Sequence, residues 1–190
     1  MNVAADASAA PAVTSEVTRI GILVVSDRAS QGLYEDISGP AVNGFLERVI
    51  RTGWTAILRV VPDGAGSVAA ALTDLVDNEG CDLILTSGGT GPAPRDQTPE
   101  GTRAVIEREL DGFGELMRQV SLAQVPTAIL SRQMAGTRGR CLIVNLPGRP
   151  SSIDVCLGAI FPAIPYCLDL IGAHPIEVNT DVCKAYRPGT

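Results

Sequence analysis

The sequence predicts an α/β fold: a three-layer sandwich with a mostly parallel central sheet, helices on both faces, and a β-hairpin. Three observations predict it. Short apolar runs alternate with amphipathic stripes through the first half, as βαβ units do. The helical stripes between those runs imply a parallel sheet covered on both faces. The runs also end repeatedly in polar or glycine-rich tips.

The elements follow in order. "RIGILVVSD" (Arg19–Asp27) is a buried strand with a polar end. Val42, Phe45, Leu46, Val49 and Ile50 recur at helical steps. "TAILRVVPD" (Thr55–Asp63) is a second strand, stopped by Pro62. Val68, Ala71, Leu72, Leu75 and Val76 form another helical stripe, ended by Gly80. "CDLILTSGG" (Cys81–Gly89) is a third strand. Thr98 reads as a helix N-cap with Pro99 in the first turn, and that helix is expected to reach about Leu110. Phe113, Leu116, Met117 and Val120 mark a further helix. "TAILSRQM", the turn "AGTRG" and "RCLIVNLPG" read as the hairpin, and a broken helix pair runs from about Ser152 to Ile171.

Bulk properties limit the function. The 190 residues suit one domain, 45% hydrophobic and 19% charged. Residues 1–17 lack apolar periodicity and read as a flexible, dispensable tail, leaving 18–190 as the single domain. A net charge of −6 argues against a nucleic-acid surface. The apolar stretch Cys156–Ala173 is interrupted by Pro162, Pro165 and Asp169, so it reads as core helices rather than a membrane span. Five cysteines without a C-x-x-C pair read as reduced thiols of a cytoplasmic protein. The single histidine, His174, stands in a turn-like stretch and is a poor candidate for a catalytic triad.

The chemistry is expected at the carboxyl ends of the parallel strands, where open α/β sheets bind ligands. Those ends are Ser26-Asp27-Arg28, Asp63-Gly64, Ser87-Gly88-Gly89-Thr90-Gly91 and Asn145-Leu146-Pro147-Gly148. Glycines let the backbone approach a ligand, successive amides can cup an anion, and Ser87 and Thr90 add hydroxyls. On this reading Gly89→Val should abolish ligand affinity and leave the fold intact. Asp96 follows in the same loop. A carboxylate beside a phosphate loop is costly unless a metal lies between, and Mg²⁺ is held by one or two carboxylates plus phosphate oxygens. Asp63 could supply the second, although it could equally be a cap, and Asp96 an Asx-turn residue. Asp27 and Arg28 could pair with each other or with a helix dipole. Ser131 and Arg132 could be no more than a charged edge strand.

"SDRAS", "TSGGTGPAPRDQTPE", "FGELMRQVS", "PTAILSR" and "NLPGRP" together resemble the molybdopterin adenylyltransferases, the family of MogA and the gephyrin G domain. The resemblance covers about Arg19 to Ile171. The chain differs from some bacterial members between Leu157 and Tyr166, where an expected insertion is absent. The resemblance implies that ATP and molybdopterin give adenylyl-molybdopterin and diphosphate, with Mg²⁺, in a homotrimer, and with possible hand-over of product to a molybdotransferase. It puts the essential, metal-binding acids on Asp63 and Asp96. The substrate loop falls on Ser87 to Gly91, the Ser-Arg element on Ser131 and Arg132, and the proline-glycine wall on Asn145 to Gly148. A pterin-binding protein without turnover and a molybdotransferase-type module are the alternatives.

Overall fold

The computed structural model describes residues 17–189. The expected tail, apart from Val17, lies outside them. The first half is strand β1 (Thr18–Val25), a short helix α1 (Asp27–Ser30), helix α2 (Ser38–Val49), strand β2 (Trp54–Val61), helix α3 (Ala65–Asp77) and strand β3 (Leu83–Ser87). The second half holds helix α4 (Thr98–Arg103), strand β4 (Arg108–Glu109), helix α5 (Asp111–Leu122) and a 3₁₀ turn (Pro126–Leu130). Strands β5 (Ala135–Arg138) and β6 (Cys141–Leu146), helix α6 (Pro150–Ile160), a second 3₁₀ turn (Phe161–Ala163) and helix α7 (Ile164–Ile171) complete it.

The six strands form one sheet in the order β2-β1-β3-β6-β5-β4. β2, β1, β3 and β6 run parallel, while β5 is antiparallel to both β6 and β4. Period-two alternation sorts the side chains into two cores. Ile20, Ile22, Leu83, Leu85, Leu142 and Val144 face α2 and α6 through Val42, Phe45, Leu46, Ile153 and Leu157. Leu23, Val25, Ile84 and Ile143 face α3 through Val68, Leu72 and Leu75. The expected three layers are therefore present. The stretch Pro150–Ile171 is long and apolar enough to cross a membrane by length and composition. It is broken at Phe161–Ala163, and Ile153, Leu157, Ile160, Phe161 and Leu168 are buried in the first core.

Three expectations need correction. The hairpin is real, but its arms are β5 and β6, joined at Gly139 and Arg140. "TAILS" is not strand: Pro126 opens a 3₁₀ turn, where its missing N–H costs nothing. Ser131 and Arg132 therefore precede the hairpin. The helix from Thr98 stops at Arg103, because the backbone beyond it bonds to β5 instead, Glu107 N to Thr137 O and Leu110 N to Ala135 O. Gln97 rather than Thr98 holds the cap position of that helix.

All five cysteines are free, three of them buried. Desolvation pushes the Cys81 thiol up to about 12 and holds Cys141, Cys167 and Cys183 above the ordinary range. These thiols stay protonated at neutral pH, as inert core residues do.

His174 sits at the amino ends of β1 and β3, opposite the strand tips. There the buried Asp82 carboxylate accepts hydrogen bonds from Arg19 N (2.9 Å) and His174 N (3.0 Å). His174 Nδ1 lies 3.0 Å from Asp82 Oδ1. This carboxylate ties the start of β1 to the C-terminal segment. Asp82→Asn should lower stability by about 1–3 kcal/mol and leave turnover unchanged. Urea unfolding alongside an activity assay checks both halves of that statement.

Candidate functional site

The strand order reverses direction between β1 and β3, since β1 passes its connection to β2 on one side and β3 lies on the other. Such a switch point leaves a crevice beyond the carboxyl ends of the strands. Ser26, Asp63, Ser87 and Pro147 are delivered to that one end by the parallel pairing of β1, β2, β3 and β6.

The tips are cross-tied. Ser26 N donates to Val61 O at 2.9 Å, and Ser26 Oγ caps α1 by accepting from Ala29 N. Asp27 N donates to Asp63 Oδ2 (3.1 Å), and Asp63 N donates to Asp27 Oδ1 (3.0 Å). Each acid thus clamps the backbone of the other, and Asp27 stands in the first turn of α1, at a helix N-terminus, rather than pairing with Arg28. Arg28 instead lies over the Tyr34 ring, 5.0 Å from its centre.

The glycine loop is held as tightly. Gly88 and Gly89 have φ of 103° and 63°, the region that favours glycine. A Cβ at Gly88 would meet Val25 O at 2.3 Å, and one at Gly89 would meet Thr98 Oγ1 at 2.3 Å. Thr98 fastens the loop by donating from Oγ1 to Gly88 O (2.8 Å) and from N to Gly89 O (3.1 Å). Gly88 N is taken by Leu146 O at 3.4 Å. The amides of Gly89, Thr90 and Gly91 have no acceptor among the described residues.

Asp96 is half-buried at the far side of this loop, and its Oδ2 accepts from Ala93 N at 3.2 Å. The turn is therefore closed towards Ala93, not towards Thr98. Gln97 Oε1 accepts from Ala65 N at 3.1 Å, which ties the Asp96 loop to the Asp63 tip. Asp63 Oδ1 and Asp96 Oδ1 accept no hydrogen bond among the described residues. Two half-buried carboxylates with an oxygen each to spare fit Mg²⁺, which takes hard oxygen ligands and keeps sites for phosphate and water. No group of three or more His, Cys, Asp or Glu side chains makes a closed metal cage among the described residues.

Two clefts flank the loop. One, of ≈ 350 Å³, is lined by Thr90, Gly91, Ser131, Gln133, Pro147 and Arg149, among others. The other, of ≈ 300 Å³, includes Ser26, Tyr34, Asp36, Ser87, Gly88 and Gly148 in its lining, together with Arg149. Ser131 Oγ is buried and finds no hydrogen-bond partner among the described residues.

Ser26, Ser87, Gly88, Thr90, Gly91, Ser131, Pro147 and Gly148 line one cleft or the other, whereas Asp27, Arg28, Asp63, Gly89 and Asp96 stand at the same strand ends and line neither. Asn145 is fully buried and lines neither cleft. Its Nδ2 donates to Thr86 Oγ1 (3.1 Å) and Thr102 Oγ1 (2.9 Å), joining β6 to β3 and α4. Leu146 is core, and only its carbonyl serves the tip. Arg132 is turned away from the first cleft towards the Asp96 loop. Gln97, Asp36 and Arg149 were missed. Gln97 lies within "PRDQTPE" and Arg149 within "NLPGRP", so both stood beside recognised residues. Asp36 caps α2, with Oδ1 accepting from Ser38 N at 2.9 Å, and only a D-x-S pattern before a helix could have flagged it.

A family model described as a probable molybdopterin binding domain matches residues 21–166. A molybdopterin adenylyltransferase of Helicobacter pylori is 50% identical over 91% of this chain and 98% of its own. That of Escherichia coli is 44% identical over 90% and 93%. The crystal structure of the molybdopterin biosynthesis enzyme MoaB from Thermus thermophilus superposes with a TM-score of 0.77, at 43% identity, covering 85% of this chain and 100% of that one. The fold and the matched family model thus define a molybdopterin-binding α/β domain. The chain belongs to the molybdopterin adenylyltransferase family.

Gly89→Val should cost about 2 kcal/mol or more, from a left-handed backbone and a clash with Thr98, as well as ligand affinity. Urea unfolding of the variant measures this. The expectation that only affinity suffers is revised, because the glycine is required by packing inside the protein.

Proposed function

We propose that the chain transfers the adenylyl group of ATP to the terminal phosphate of molybdopterin, releasing diphosphate. One observation carries the reading. The Asp63 tip and the Asp96 loop are tied together by Gln97, next to a glycine loop that lines two clefts at once. Two substrates side by side, meeting at their phosphates, suit that layout.

Molybdopterin fits the cleft of Thr90, Ser131 and Pro147, where the unpartnered Ser131 hydroxyl can bond a heteroatom of the pterin. The free amides of Gly89 to Gly91 point to an anion-binding loop at its phosphate end. ATP fits the cleft of Ser26 and Tyr34. Arg149 borders both clefts and makes no salt bridge among the described residues, so its charge is available to a phosphate. A pterin phosphate oxygen attacks the α-phosphorus, the bond from that phosphorus to the bridging oxygen breaks, and diphosphate leaves with the electron pair. The nucleophile is already an anion, so no general base is needed, and positioning and charge neutralisation carry the rate. Asp63 and Asp96 would hold Mg²⁺, which would supply positive charge to offset that on the departing diphosphate. Asp27 fixes the backbone of Asp63.

We read the chain as cytoplasmic, since its five cysteines are free thiols. We also place the chain in a homotrimer. Support comes from large apolar side chains left exposed, among them Ile129, Leu130 and Leu170. Light scattering across a wide concentration range should give three times the chain mass, and a monomer mass throughout would remove this assignment.

Asp63→Asn and Asp96→Asn keep an oxygen to accept from Asp27 N and Ala93 N, so both should fold and bind pterin. Each should lose roughly 10²-fold or more in turnover. If the two acids share one ion, the double variant should be scarcely worse than the poorer single one. Single-turnover adenylylation with radiolabelled ATP, with folding checked by circular dichroism, decides it. A near-normal rate in either variant would make that acid a turn residue.

A further inference from the structure

The Ser131-Arg132 pair divides its two side chains between different tasks. Ser131 faces the cleft, whereas every side-chain nitrogen of Arg132 is spent on the segment that carries Asp96. Nε donates to Gly91 O at 2.9 Å, one terminal nitrogen reaches Asp96 O, and the other pairs with the Glu100 carboxylate. The Arg132 backbone amide adds a bond to Thr90 O at 2.8 Å. The guanidinium also holds the Glu100 carboxyl below the usual carboxylate range. The loop is thus gripped where it begins, at the acid itself, and in the helix that follows.

From this geometry we infer that Arg132 is a positioning residue: it sets the backbone of the Asp96 loop and is not a ligand of either substrate. The inference rests on the proposed role of Asp96. A guanidinium can serve three acceptors at once because its donors form a rigid planar fork. An ammonium on the same stem is a point charge and cannot reproduce that pattern. Three of the five guanidinium N–H donors are committed to these loop contacts, each a hydrogen bond of a charged donor, and the side chain lines neither cleft flanking the glycine loop. Its effect on catalysis therefore passes through the placement of Asp96, and a misplacement of about 1 Å can cost about 10²-fold.

The test compares Arg132→Lys and Arg132→Gln in the full chain. Lys retains the charge and the aliphatic stem, so it remains informative if Gln folds poorly. Three quantities are read: hydrogen exchange of the 91–100 amides without substrates, affinity for molybdopterin and for ATP, and single-turnover adenylylation. Both variants should raise exchange in 91–100 roughly tenfold or more while the sheet amides stay unchanged. Both should keep substrate affinity and lose turnover about 10²-fold. Unchanged loop exchange with weakened substrate affinity, and activity largely kept by Lys, would make Arg132 a substrate ligand and overturn the inference. A loosened loop with normal turnover would also overturn it, leaving Arg132 a structural tie. Absence of adenylyl transfer by the wild-type protein would count against the proposed function instead, and the exchange comparison would still report whether Arg132 holds the loop.

Discussion

The strand-tip site depends on one close approach. Gly88 passes the Val25 carbonyl at a distance that leaves no room for a Cβ. That passage lets the loop after β3 turn across the end of β1 and present Ser87 and Gly88 to one cleft, Thr90 and Gly91 to the other. Gly89 extends the same constraint to Thr98, which holds the loop from the far side. Gly148 comes within 3.4 Å of the Gly88 Cα, measured from where its Cβ would stand. The glycines therefore fix where three strand ends meet, before any ligand arrives.

On that frame the polar groups fall into two sets. One set is spent on the protein. Asn145 joins strands to α4, Gln97 joins the loops, and Ser26 caps α1. The other set retains capacity for a ligand, including the amides of Gly89 to Gly91, Ser131 Oγ, Arg149 and one oxygen each of Asp63 and Asp96. The spare groups include donors to anions and hard carboxylate oxygens, and the single histidine, His174, lies at the opposite end of the sheet. That balance suits phosphoryl chemistry between two anions, where the protein must gather and neutralise charge rather than move a proton.

Much of this was legible in the sequence, for identifiable reasons. The strands of the first half are continuous apolar runs with clear stops, so β1, β2 and β3 were found within a few residues. The convergence of their tips followed from parallel pairing alone. The 3₁₀ turn at Pro126–Leu130 was mistaken for strand because "TAIL" is β-prone and only Pro126 hinted otherwise. β4 was missed because two residues carry no periodicity, and its existence depends on pairing with β5. Asn145 and Arg132 were recognised as important residues, but their tasks were hidden. Which way a polar side chain turns at a strand tip is settled by its partners, and those lie 32 to 59 positions away in the chain.

The central claim is that both clefts fill and exchange an adenylyl group at the glycine loop. Pyrophosphate release from ATP, Mg²⁺ and metal-free molybdopterin measures it most directly. The account predicts stoichiometric pyrophosphate that requires both the pterin and the metal. Tight pterin binding with no pyrophosphate released, under conditions where the protein is folded, would contradict it.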